Sequence, residues 1–174
     1  MLPCGAAISQ PDTLHLRGDE VKVDLIPFTW FIATSEDLTP GVAWNRLQRS
    51  GKKLHSSAIG FSKDLYWVAA SVKNSSSSPV RNVVEIENPQ LDWVTAFRVT
   101  PEGLATLLHS GDALPFRNRH LASRNYTVPF QLEPHQNCTL LFRFDKRNSS
   151  VSFPLYLWGY DQLYAKDYQS NLGF

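Results

Sequence analysis

The sequence predicts an all-β fold, a two-sheet antiparallel jelly-roll sandwich with one short helix after the early strands and a short C-terminal helix. Three observations carry that expectation. Strand-like runs recur about every 8 to 12 residues with turn signals between them, the spacing of sandwiches and barrels. Around nine such runs occur, enough for two sheets. The length of 174 residues, with 43% hydrophobic and 19% charged side chains, suits one folded domain around one core.

The elements follow in order. Residues 1–11, MLPCGAAISQP, read as a flexible N-terminal segment whose small residues resemble the end of an export signal. Thr13 to Leu16 alternates, and Val21, Val23 and Leu25 keep a period of two. FTWFIAT, Phe28 to Thr34, is a β-branched and aromatic run between Pro27 and the acidic SED, hence a buried strand. In LTPGVAWNRLQRSG, Thr39 caps, Pro40 suits the first helical position and Gly51 ends the pattern, so a helix is expected from Pro40 to Gln48. A polar loop then reaches about Ser62. KDLYWVAASVKN is a strand with Leu65, Trp67, Ala69 and Ser71 on one face and Tyr66, Val68, Ala70 and Val72 on the other. Both faces are apolar, which makes it central. SSSSP, Ser75 to Pro79, is a turn; VRNVVEIENP and LDWVTAFRVT follow, divided at Asn88-Pro89. Further strands are expected at Leu104 to Leu108, Tyr126 to Leu132, Cys138 to Phe144 and Val151 to Trp158, with Pro129 and Pro154 assigning parts of them to edges or bulges. Leu163, Tyr164 and Tyr168 stand at helical offsets and mark a helix from Tyr160 to Tyr168. The sandwich domain is thus 12–160, followed by a C-terminal segment, 161–174.

Composition excludes several functions. A formal net charge of +1 supplies no field for nucleic acid or a membrane surface, so any basic site is local. No apolar run reaches the roughly 18 to 20 residues of a membrane helix. Two cysteines, Cys4 and Cys138, allow one bridge arithmetically but lack metal-ligand spacing. No GxSxG, HExxH, CxxC, GxxxxGK[ST] or GxGxxG motif occurs, and His15, His55, His109, His120 and His135 are scattered. Neither catalysis, a metal nor a cofactor is expected. A glycosidase would need two facing carboxylates from among Asp64, Glu85, Glu87, Asp92 and Asp145. The four Asn-x-Ser/Thr triplets, at Asn74, Asn125, Asn137 and Asn148, are the chance product of turn-rich β sequence.

What remains is a binding constellation. GDALPFRNRHLASRNYTVPF, 111–130, brings Arg117, Arg119 and Arg124 into one loop before a strand, and Arg143 lies in a strand expected to pair nearby. Arginine presents a planar fork to carboxylate, phosphate or vicinal hydroxyls and stacks on aromatic faces. Tyr66, Trp67, Trp93, Phe116, Tyr126 and Trp158 are the aromatics available to the same surface, and Arg117, Arg119, Trp67, Tyr66, Trp93 and Arg143 form the candidate ligand-binding set. The competing reading makes these arginines loop staples paired with Asp112, Glu133 and Asp145.

FTWFIATSEDLT, DLYWVAASVKNSS, VVEIENPQLDWVTAFRV, GDALPFRNRHLASRNYTVPFQL and FPLYLWGYDQLY, in that order, resemble the extracellular sensor domain of bacterial seven-transmembrane receptors with diverse intracellular signalling modules, second type (7TMR-DISMED2). The resemblance covers roughly 12–164. It implies a periplasmic jelly roll shaped like a carbohydrate-binding module, ahead of a seven-helix membrane region and a histidine kinase or cyclic-di-GMP enzyme, with 161–174 leading toward the membrane. Many relatives carry an arginine where Ala69 stands, two residues after Trp67, so that ligand contact is missing here. The function expected is ligand sensing, with a carbohydrate-like or small anionic ligand. The alternative is a protein-interaction module that forms a homodimer or contacts a partner sensor kinase. The two are distinguished by whether arginines and tryptophans share one face or the aromatics are buried behind an exposed edge.

Overall fold

The structure, a computed structural model, describes residues 12–112 and 124–172. Its strands are β1 (Leu14–Leu16), β2 (Lys22–Asp24), β3 (Thr29–Thr34), β4 (Lys52–Lys53), β5 (Ala58–Ser62), β6 (Leu65–Asn74), β7 (Val80–Ile86), β8 (Trp93–Thr100), β9 (Gly103–Ser110), β10 (Tyr126–Leu132), β11 (Asn137–Asp145), β12 (Ser149–Ser152) and β13 (Leu155–Gly159). Two α-helices, α1 (Pro40–Ser50) and α2 (Tyr160–Asn171), and a 3-10 turn at Ile26–Phe28 complete the regular structure of the described residues. A seven-stranded sheet runs β4-β3-β6-β11-β8-β9, with β1 added in parallel to the end of β6. A four-stranded sheet runs β10-β7-β13-β2, and β5 pairs with β12 as a separate ribbon.

From β6 onward the chain crosses between the two sheets repeatedly, the jelly-roll habit the strand spacing predicts. β6 lies at the centre of the large sheet, flanked by β3 and β11, and both its faces are buried as its composition demands. Tyr66, Val68, Ala70 and Val72 join Leu140, Phe142, Phe144, Val84, Val128 and Leu157 in the core between the sheets. Trp67 and Ala69 point the other way, into a second cluster where Trp30, Ala43 and Leu47 seat α1 on the outer face. Pro129 falls in β10, an edge strand whose missing N–H breaks no ladder.

Three expectations change. The loop to Ser62 contains β4 and β5, whose mostly exposed or half-buried residues give no apolar alternation to read. The run from Val151 to Trp158 divides into β12 and β13 around Phe153-Pro154, and the halves join different sheets. Both helices run further than expected: α1 is capped by Thr39, whose Oγ1 accepts from the Val42 amide, and begins at Pro40, but continues to Ser50, and α2 continues to Asn171. Gly51 is required by close approach, because a Cβ there would lie 2.5 Å from the Leu47 carbonyl oxygen and 2.6 Å from Trp30 Cδ1.

The serine turn is held by one side chain. Asn74 is fully buried; its Nδ2 donates to the carbonyls of Ser78 (2.7 Å) and Glu133 (3.1 Å) and lies 3.3 Å from that of Leu132, while its Oδ1 accepts from the Ser76 amide (2.9 Å) and hydroxyl (2.7 Å). Asn74→Ala leaves these groups unpaired and is expected to cost about 2–4 kcal/mol, read as a lower urea midpoint at unchanged slope.

Cys138 is a buried reduced thiol, and Cys4 lies outside the described residues. Burial pushes the Cys138 pKa from 9.0 up to about 11, with Arg98 opposing the shift. Below 9.0 folded and unfolded chains both keep the proton; between 9.0 and about 11 only the folded chain does, so this thiol's contribution to stability is lost as pH rises through that window. Cys138→Ala should flatten the alkaline slope of urea stability, and native protein at pH 8 should resist alkylation that unfolding admits.

Candidate functional site

Strand alternation places Trp93, Thr95, Phe97 and Val99 on the outer face of the large sheet, the face that carries α1. Register adds their neighbours. Arg143 on β11 lies opposite Trp67 on one side and Thr95 on the other, and Thr95 in turn faces His109 on β9. Two juxtaposed zones result.

The polar zone is built on Arg143. Its guanidinium lies 6.0 Å from the centre of the Trp67 ring, 3.5 Å from Asp37 Oδ1 and 3.7 Å from Asp145 Oδ2. Asp145, only 6% exposed, accepts two hydrogen bonds of 3.2 Å from the Arg147 guanidinium. That bidentate contact raises the Arg147 pKa further, against the opposing effect of burial. Asp37 is exposed and belongs to the acidic stretch that follows β3. Beside this cluster, Thr95 Oγ1 and His109 Nδ1 are 3.2 Å apart, and Trp93 stacks on the His109 ring with centroids 5.9 Å apart. Trp93 is half-buried and His109 exposed, so both present ring surface to solvent.

The apolar zone is a groove of about 510 Å³ between the start of α1 and β8–β9, lined in part by Trp44, Phe97, Val99 and Leu104. Trp44 lies just off the buried stripe of Ala43 and Leu47; it lines the groove, and its ring centre is 6.5 Å from that of Trp30. The face as a whole offers arginine and imidazole at one end and aromatic carbon at the other, the combination an amphipathic, hydroxyl-bearing molecule fits.

Of the residues singled out in the sequence, Arg143 and Trp93 share this face. Trp67 is fully buried beneath α1, and Tyr66 points into the inter-sheet core, 6% exposed, with its hydroxyl 2.8 Å from Ser62 Oγ. Consecutive residues of a strand project to opposite faces, so Tyr66 and Trp67 could never have lined one surface. Tyr126 is also core and Trp158 belongs to the other sheet. Arg117, Arg119 and Phe116 lie outside the described residues. Ala69 is covered by α1 and belongs to the core. Reading the residues one by one missed Thr95, His109, Phe97 and Trp44; the only available signal was Trp44, a tryptophan flanking the apolar stripe of a short helix.

Of the pairings in the staple reading, Arg143 with Asp145 is present at 3.7 Å, while Arg117 and Arg119 lie outside the described residues. Glu85, Glu87, Asp92 and Asp145 each sit in an ion pair, with Lys166, Lys22, Lys146 and Arg147 respectively. Glu85 lies on the small sheet, and Asp92 and Asp145 lie at the large one. Among the described residues, no cluster could hold a metal ion and no helix is long and apolar enough to cross a membrane.

Trp67→Ala is expected to cost about 3–5 kcal/mol, as emptying a packed aromatic site does, whereas Trp93→Ala should cost less than half as much. Thermal unfolding of the two variants checks this.

No curated protein matches the chain. Among solved structures it is similar to a β-glucosidase from Kluyveromyces marxianus, at 5% identity and a TM-score of 0.44, over 74% of this chain and 16% of that enzyme. It is similar also to CBM32-3 from a family 31 glycoside hydrolase of Clostridium perfringens (15% identity, TM-score 0.33, 82% and 97% of the two chains). A third is a family 35 carbohydrate binding module from Clostridium thermocellum (8% identity, TM-score 0.31, 84% and 97%). The family model described as 7TMR-DISM extracellular 2 matches residues 28–159, well over half the chain, and the chain belongs to that family.

Proposed function

We propose that this family member is the periplasmic, non-catalytic sensor domain of a seven-helix receptor whose output is a histidine kinase or a cyclic-di-GMP enzyme, and that it binds a carbohydrate-like or small anionic ligand on the outer face of the large sheet. The observation that carries the reading is the juxtaposition along β8 of the Arg143–His109–Trp93 cluster with the groove at Phe97 and Trp44, on a face that α1 leaves half open. Family membership supports an extracellular placement ahead of membrane helices. Ligand binding shifts a receptor only if the two signalling states differ in affinity. The element that carries such a difference onward is α2, which packs on β7 and β13 on the opposite side of the sandwich.

A thermal-shift screen of neutral sugars and anionic metabolites tests this, since a ligand at about 100 times its dissociation constant adds about 2.7 kcal/mol. Trp93→Ala and Arg143→Ala should each abolish the shift while the domain stays folded. Replacing Arg117 and Arg119 with alanine tests whether the arginine-rich segment contributes to the same site. The second reading, a dimerisation module, is favoured by the exposed Tyr164 and Tyr168 at consecutive turns of α2. Absence of any shift, together with concentration-dependent dimers lost in a Tyr164→Ser/Tyr168→Ser variant, would replace the first reading with the second.

A further inference from the structure

The underside of α2 meets the small sheet at two carboxylates and one lysine. Glu85, on β7, has no exposed surface and accepts from the Trp158 indole (3.1 Å), the Asn125 amide (3.3 Å) and Lys166 Nζ (3.3 Å). Asp167 follows Lys166 on the helix. It is half-buried, its Oδ2 is sealed from solvent with no hydrogen-bond partner, and among the described residues it forms no ion pair. With Lys166 engaged by Glu85, Asp167 has a charge to bury and no cation bonded to it.

The other titratable groups on the elements packed here are engaged elsewhere or carry no charge at neutral pH. On β7, Arg81 lies on the Tyr160 ring at the far end of α2. On β13 the neighbours are Tyr156 and Trp158, and on β2 Lys22 pairs with Glu87 at 3.1 Å. Arg124 precedes Asn125, and α2 itself adds Asp161 in its first turn and the exposed Tyr164 and Tyr168. Two ionised carboxylates can only accept hydrogen bonds, whereas a proton on one of them supplies a donor and removes the excess charge. We propose that the seat of α2 is a proton-operated latch: the helix docks on the small sheet with one proton held by the Asp167–Glu85 pair, closes in mild acid and loosens as pH rises.

The direction follows from the titration of Asp167. Burial raises its pKa above the ordinary 3.8, with Lys166 opposing the rise and Glu85 adding to it. Between 3.8 and the raised value the docked helix keeps a proton that a released, solvated helix gives up, so docking strengthens as pH falls through that window. The family match ends at residue 159 and α2 starts at Tyr160, so the latch lies outside the matched domain. Its use as a signal rests on the proposed function, in which α2 carries the response onward; the proton linkage itself does not.

Native-state hydrogen exchange on the whole chain tests the latch, with protection factors of the α2 amides read against those of β6 from about pH 4 to about pH 8. Relative protection of α2 should fall as pH rises, by no more than about tenfold per pH unit, the limit for one linked proton. Asp167→Asn, of the same shape, should hold α2 at its acid level of protection at every pH. Glu85→Gln frees Lys166 for Asp167 and should also remove the dependence; if that variant does not fold, Asp167→Asn decides alone. A flat α2 profile in the unmodified chain, a profile that rises with pH, or a slope that survives Asp167→Asn overturns the proposal. No ligand is added, so a failed ligand screen and a failed latch are separate results.

Discussion

Everything in this domain follows from β6 being apolar on both faces. A strand that buries Tyr66, Val68, Ala70 and Val72 on one side and Trp67 and Ala69 on the other cannot remain in a single layer with one face in water. It needs two covers. The small sheet supplies one and α1 the other. The covers differ in extent: an α-helix of 11 residues is about 16 Å long and 10 Å wide, whereas six strands at about 4.8 Å spacing span more than 20 Å. One helix therefore covers only part of the outer face, reaching β3, β6, Phe97 on β8 and the start of β9, and leaves Trp93 and His109 at the other end of β8 and β9 partly exposed. The open face is the remainder of a covering problem, and Arg143, His109 and Trp93 occupy it.

The small sheet meets the same problem with different chemistry. Its outer face is covered by α2 through Leu163, Val83 and Trp158, but at its centre stands Glu85, with no exposed surface. A charge so placed is costly unless paired, and the Trp158 indole (3.1 Å), the Asn125 amide (3.3 Å) and Lys166 (3.3 Å) surround it. Lys22 and Lys166 also lie over the Trp158 ring, at 5.2 and 5.0 Å. Burial, with Glu85 adding to the effect and Lys166 opposing it, raises the pKa of Asp167 next along the helix. The buried carboxylate thus ties Lys166 on α2 to the centre of the small sheet.

The fold was legible because its signals are local. An apolar run filling both faces marked β6, Thr39-Pro40 marked the start of α1, and Pro129 marked an edge. What could not be read is non-local or faint. β4 and β5 are too exposed to leave a pattern, and the helix ends lack a left-handed glycine that would have fixed them. The site shows the same division. Parity alone separates Tyr66 from Trp67, but which face a helix will cover depends on α1 folding back over β3 and β6. Arg143, Thr95 and His109 come from three strands whose register is set by pairing over dozens of residues, so nothing in their sequence neighbourhoods announces the cluster. Gly111 is a quieter case. It opens the arginine-rich segment at φ +151°, where a Cβ would overlap the Asp92 carbonyl, and in sequence it reads only as a turn.

Asn74 has a consequence for anyone producing this protein. With Ser75 and Ser76 it forms an acceptor triplet for N-linked glycans, and a eukaryotic secretory host attaches such glycans while the chain is still emerging. A sugar on that amide nitrogen would remove a hydrogen needed for the bonds to Ser78 and Glu133 and would have to occupy space the folded domain does not contain. The side chain that closes the turn is thus also the point at which the choice of expression host decides whether the domain can fold.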